Sequence, residues 1–248
     1  MKAIPKKDLP KSGKMILIYG ETGCGKTTSI LQSAPDPILY ISTEPRNPIP
    51  SIEAAERTAL DLDIVHYTVW LELMDYISEK KNINRYATIV LDSMTYLLNV
   101  SLSGEIEDES YDSRSDTEKK IKPLINMAKL SLEGYGGLSS QAFRLMKALG
   151  RLSTAGKVII ITSLLAENPR WNRELSAAPA LKGKEFPNSF PGFLDMIGFV
   201  QSRHDEDGNI VYPPWVSFES PDGSFMAKYT GTGKRRAGPL NFERILNV

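Results

Sequence analysis

The 248-residue chain has one cysteine, no excess of either charge, and no apolar run close to the length of a membrane span. Each lack removes a class of protein. A lone cysteine, Cys24, can form neither an internal disulfide nor a cysteine-based zinc cluster. Thirty Lys and Arg residues balance thirty Asp and Glu, which excludes a globally basic coat and confines any nucleic-acid site to a local patch. A bilayer span needs about 20 consecutive apolar residues, so no membrane partner is expected. The opening "MKAIPKKDLPKSGK" carries no apolar core of the kind a signal peptide needs, which makes the cytoplasm the expected location. Internal repeats and low-complexity tracts are also missing.

Apolar residues make up 41% of the chain, enough to fill a large core, and the length suits one α/β domain over 1–248 better than two. Short apolar runs bounded by turn residues recur at "MILIYG" (15), "PILYIS" (37), "IVHYTV" (64), "TIVLDS" (88) and "VIIITS" (158), and read as buried strands of a mostly parallel sheet. Helical patterns lie between them. The clearest is "LSSQAFRLMKALGRL", where Leu138, Ala142, Leu145, Leu149 and Leu152 form one apolar stripe. Residues 1–13 read as an N-terminal arm. From about 200 to 248 short strands and turns replace the alternation, as an antiparallel β extension would. Two stretches read as long excursions after strand ends: acidic 101–120, a solvated loop or loosely held helix, and proline-rich 164–193.

The stretch "GETGCGKTT", residues 20–28, carries the most specific chemistry. Gly20, Gly23 and Gly25 allow the backbone to curl with its N–H groups turned toward phosphates, and Lys26 adds a mobile positive charge. Thr27 would offer its hydroxyl to Mg2+. The whole loop, Gly20, Glu21, Thr22, Gly23, Cys24, Gly25, Lys26, Thr27 and Thr28, is the expected nucleotide-contact set; at Cys24 the backbone matters more than the thiol. It follows an apolar strand and opens a helical pattern, the context this mechanism requires. Asp92, ending "TIVLD", is the expected second Mg2+ ligand. No acidic residue follows it, so the best candidate for polarising the attacking water is Glu44, at the end of "PILYISTE". A solvated loop carboxylate is the alternative for Glu44.

A water-activating glutamate after the second strand resembles the RecA-like ATPases. The order "GETGCGKTT", "ILYISTE", "TIVLDS" and "YGGLSSQAFRLMKALGRLSTAGKVIIITS" is similar to that core from phosphate loop to sensor strand. "PALKGK" and "FMAKYTGTGKRRAGPLNFERIL" more narrowly resemble the phage Sak-type proteins of single-strand annealing and recombination. The resemblance implies a RecA-like P-loop core, ATP and Mg2+, and a homo-oligomeric ring or filament on single-stranded DNA. It assigns catalytic roles to Lys26 and Glu44. RecA proteins carry a polar amide after the sensor strand where this chain has Thr162, Ser163 and then Leu164, so coupling to DNA either differs here or runs through Ser163. DNA-binding loops would fall within 101–137 and 164–193. In the second, Arg170, Trp171, Arg173, Lys182 and Lys184 could track a backbone and stack a base, or the loop could simply be solvated with Trp171 packed on the domain. The segment "KYTGTGKRR" clusters Lys228, Lys234, Arg235 and Arg236, either a basic hairpin tip or a finger in which Lys228 completes a neighbour's site. A competing function is an assembly or regulatory ATPase with a protein partner. A small-molecule kinase ranks third, for want of a compact arginine lid.

Overall fold

A computed structural model describes residues 13–112, 114–115, 130–231 and 236–247. Residues 1–12 of the expected arm, most of the second half of the acidic excursion, and Lys234 and Arg235 of the basic segment lie outside them.

The apolar runs fold as strands because each can be buried on both faces. β1 (Met15–Gly20), β2 (Ile38–Ser42) and β4 (Thr88–Asp92) are buried at every position. β3 (Leu62–His66), at the sheet edge, is only half-buried. Side chains of a strand point alternately to opposite faces, so one run feeds two cores. Met15, Leu17 and Tyr19 join Leu39, Leu91 and Ile161 in one core; Ile16 and Ile18 join Tyr40, Val90 and Ile160 in the other. A one-residue slip would exchange the two sets.

The strands pair in the order β10 (Ala237–Pro239), β8 (Ile210–Ser217), β7 (Met196–His204), β1, β5, β4, β2, β3, with a short β6 (Ala177–Pro179) beside the end of β5. Those from β7 to β3 run parallel, including β5 (Val158–Glu167), which lies between β1 and β4. The strand that leads into the phosphate loop is therefore separated by one strand from the strand that ends in Asp92. Helices cover both faces: α1 (Lys26–Ser33) on one, α3 (Trp70–Ser78) and the later helix of 132–154 on the other. Short helices α2 (Ile49–Ala54) and α4 (Lys80–Ile83) follow β2 and α3.

After β4 the chain turns at once into α5 (Met94–Tyr96), a π-helical turn Leu97–Ser101, and α6 (Leu102–Asp112). The start of the acidic excursion is thus helical. Residues 132–137, the end of the first expected DNA-binding loop, instead form the first turns of α7 (Leu132–Thr154). Ser131 caps that helix by accepting the Gly134 N–H at 3.0 Å. Its cap and the stripe Leu138, Ala142, Leu145 and Leu149 carry the helix through its glycines.

β7 (Met196–His204) spans position 200: it pairs parallel with β1 on one side and antiparallel with β8 (Ile210–Ser217) on the other, Val200 facing Val216, and an earlier antiparallel pair joins the end of β5 to Ala177–Pro179. β8 contains Pro213 and Pro214, which lack the N–H a regular ladder needs. The β7–β8 register shifts there, between Gln201 and Arg203, so the prolines sit at a bulge. β9 (Lys228–Tyr229) adds to β7, β10 (Ala237–Pro239) to β8, and α9 (Phe242–Leu246) packs near α1; α8 (Glu185–Ser189) precedes β7. Among the described residues no helix is long and apolar enough to cross a membrane.

Candidate active site

The carboxyl ends of β1, β2, β4 and β5 open on one cleft of about 370 Å³. Gly20 ends β1 hard against β7, where a Cβ would lie 2.3 Å from the Val200 carbonyl oxygen. Gly25 takes φ 88°, and a Cβ there would lie 2.6 Å from a ring carbon of Tyr212. Both positions need glycine, one for space and the other also for its left-handed backbone. α1 starts at Lys26, so its first N–H groups face the cleft lined by Thr22, Gly23, Gly25, Lys26, Thr27 and Thr28.

Lys26 is buried, and its ammonium donates to the carbonyls of Gly20 (3.0 Å) and Glu21 (2.7 Å). The Cys24 sulfur, also buried, lies 3.6 Å away. The carbonyls hold the cation, and an incoming phosphate would take over the third donor, which here meets only the weakly accepting Cys24 sulfur.

Asp92 is buried beside the phosphate loop and accepts three hydroxyl donors. Thr27 Oγ1 donates to Oδ2 at 2.7 Å; Tyr40 donates to the same oxygen and Thr162 to Oδ1. The intervening position of β5 explains Thr162: this strand carries a hydroxyl to Asp92 from between the two motif strands. Burial first, and then the charge of Asp92, push the Tyr40 hydroxyl far above its ordinary pKa, so it stays a donor. One carboxylate, one hydroxyl and the oxygens of a bound phosphate are the hard donor set Mg2+ takes, and Thr27 and Asp92 would hold it there. The described residues contain no cluster of three or more acidic, His or Cys side chains that would bind a metal without that phosphate. When bound, the ion would neutralise charge on the phosphates.

Glu44 stands beside the Asp92 end of β4. The ends of β2 and β4 are fastened by three bonds: Thr43 N–H to the Asp92 carbonyl (2.9 Å), Thr43 Oγ1 to the Ser93 carbonyl (2.8 Å), and Ser93 N–H to Thr43 Oγ1 (2.8 Å). Glu44 Oε1 then accepts from the Ser93 hydroxyl at 3.0 Å, while Oε2 pairs with Arg46 Nε at 2.7 Å. Glu44 and Arg46 both line the cleft with Lys26 and Asp92. A carboxylate in that position can accept a proton from water near the terminal phosphate.

A family model described as an AAA domain matches residues 12–235. The chain belongs to the AAA domain family. It is accordingly a P-loop ATPase that binds ATP, with a mixed α/β fold, a mostly parallel sheet and antiparallel strands at the C-terminal end. A search among curated proteins found no match.

Other side chains singled out from the sequence lie elsewhere in the AAA domain. Ser163 does not face the cleft: it is fully buried, with its hydroxyl 2.8 Å from that of Thr95. Its neighbour Thr162 lines the cleft instead, because successive strand positions point to opposite faces. Arg170, Arg173 and Lys184 are exposed and Trp171 is half-buried. Lys182 is drawn back from that surface, donating to Ser103 and pairing with Glu107 at 3.5 Å on α6. Lys228 is half-buried in β9, where its ammonium donates to the Pro191 carbonyl at 2.7 Å. Sequence reasoning missed Tyr40, Thr43, Arg46, Thr162 and Tyr212. An arginine two residues beyond a candidate base was visible. The hydroxyls were not, because which face of a strand they take depends on register.

Proposed function

We propose that the protein is a RecA-like, Mg2+-dependent ATPase of the phage single-strand annealing type. In this reading it works in the cytoplasm as a homo-oligomeric ring or filament on single-stranded DNA. The observation that carries the catalytic half is the convergence of Lys26, Asp92 and Glu44 on one cleft from three different strand ends. Loop N–H groups and Lys26 hold the triphosphate. Thr28, Pro50, Ser51 and Tyr212 wall the same cleft and supply an uncharged place for the ribose and base. Glu44 takes a proton from water as its oxygen attacks the γ-phosphorus. The bond to the bridging oxygen breaks, and its electron pair leaves with ADP.

The DNA half rests on the RecA-like motif order and on the exposed Arg170, Arg173 and Lys184 around Trp171. In the oligomer, Lys228 reaches a neighbour's phosphates once it releases the Pro191 carbonyl, and Ser163 couples the sheet end to the following loop through Thr95. The engagement of Lys182 on α6 takes one cation out of the DNA patch, and this favours the second reading, an assembly ATPase with a protein partner. ATP hydrolysis measured with and without single-stranded DNA at two salt concentrations tests the choice. Stimulation by DNA that weakens as salt rises is expected, because backbone contacts release counterions. No DNA affinity at low salt, with or without ATP, would leave the assembly reading.

A further inference from the structure

Two cations line the cleft among the described residues, and they differ in freedom. Lys26 is buried and held by two carbonyls. The Arg46 side chain is 55% exposed, and the one partner it shows is the candidate base, Glu44 Oε2, at 2.7 Å. Glu44 is itself 18% exposed and gives its other oxygen to Ser93. Both oxygens of the base are therefore engaged, and the one toward Arg46 is a poor place for a water proton to land. An ion pair whose arginine is open to solvent holds that arginine weakly, so it is readily exchanged for a better anion. A terminal phosphate is that better anion. It carries more charge than a carboxylate and presents oxygens that match the guanidinium fork.

We infer that Arg46 is a cis-acting arginine finger: parked on Glu44 without nucleotide, it transfers to the γ-phosphate when ATP occupies the cleft, and the transfer frees Glu44 to act as base. This rests on the ATPase reading above and adds to it a residue and a reason for the order of events. One movement both places positive charge where it develops on the transferred phosphoryl group and uncovers the proton acceptor. The enzyme thereby has no competent base until a third phosphate is present. ADP, without that phosphate, leaves Arg46 on Glu44.

The test separates a γ-phosphate contact from mere support of Glu44 by removing the latter. In a Glu44→Gln background, affinities for ATP and ADP are measured with Arg46 intact, as Arg46→Ala and as Arg46→Lys. Arg46→Ala should weaken ATP about tenfold or more and leave ADP within about twofold, with Arg46→Lys between. In the Glu44 background, Arg46→Ala should lower kcat about 1,000-fold. Equal weakening of ATP and ADP, or no weakening of either, overturns the inference and leaves Arg46 as a surface partner of Glu44. Should Glu44→Gln still hydrolyse ATP, the base assignment falls instead. The affinity comparison, repeated with an imido-bridged ATP analogue, then still decides Arg46.

Discussion

Thr27 Oγ1 donates to Asp92 Oδ2 across 2.7 Å, joining the first turn of α1 to the end of β4, two positions 65 residues apart in the chain. Neither residue type is informative alone. Their contact turns a phosphate loop and an apolar strand into one phosphate- and metal-competent wall. Lys26 on one side of that contact and Asp92 within it predict two distinguishable losses. Lys26→Ala should weaken ATP by about 1.5 to 3 kcal/mol, roughly ten- to a hundredfold in Kd, and abolish turnover. Asp92→Asn should still bind nucleotide but need more Mg2+ for half-maximal activity. Nucleotide titrations followed by Mg2+ titrations check both, and normal turnover in folded Lys26→Ala protein would end the phosphate-loop assignment.

Glu44→Gln keeps the shape and the bond to Ser93 but cannot take a proton. It should bind ATP as the unmodified protein does and hydrolyse it about 100- to 10,000-fold more slowly. Unchanged turnover would place the base elsewhere and remove the best support for a RecA-like mechanism.

What the sequence disclosed and what it hid divide along a physical line. Strands such as Met15–Gly20 and Thr88–Asp92 were legible because burial on both faces demands a continuous apolar run, and the loop because its glycines and Lys26 are close in sequence. Thr162 and Tyr40 were not, since their roles follow from strand order and register, which bring together residues far apart in the chain. The start of α7 was misread because Gly134, Gly136 and Gly137 weaken helix propensity, by roughly 1 kcal/mol each relative to Ala. The Ser131 cap and packing of the rest of the helix outweigh that local preference.

Tyr212 lies on β8 next to the prolines of the bulge, lines the cleft close to Gly25, and is 54% exposed. A ring so placed beside a phosphate loop should stack the nucleobase. Tyr212→Ala should then weaken ATP by about 1 to 3 kcal/mol and leave inorganic tripolyphosphate binding unchanged, while Tyr212→Phe behaves as the unmodified protein. Equal weakening of both ligands would mean that the ring supports the loop rather than the base.

Trp171 is half-buried among the exposed Arg170 and Arg173. If a DNA base stacks on it, Trp171→Ala should lose about 1 to 3 kcal/mol of single-strand affinity with little change in the salt slope, because no charge is removed. Arg170→Ala should instead flatten that slope. Fluorescence anisotropy with a labelled oligonucleotide at several salt concentrations reads both, and an unchanged affinity in Trp171→Ala assigns the ring to packing.

In the proposed homo-oligomer, Lys228 and Arg46 make opposite predictions for mixed assemblies. Lys228 donates to the Pro191 carbonyl in β9 and does not line its own subunit's cleft, so a role in hydrolysis requires a neighbour's nucleotide. Arg46 lines the cleft of its own subunit. Each is combined with Lys26→Ala, whose subunits lack a working phosphate loop but carry both other cations. Lys228→Ala with Lys26→Ala should regain part of the activity, because some interfaces pair an intact loop with an intact Lys228. Arg46→Ala with Lys26→Ala should regain none, because no subunit then holds both an intact loop and Arg46. Co-assembly has to be shown first, by differential tagging. Given that, failure of the Lys228 mixture restricts Lys228 to its bond with Pro191, and recovery of the Arg46 mixture shows that Arg46 serves the neighbouring subunit.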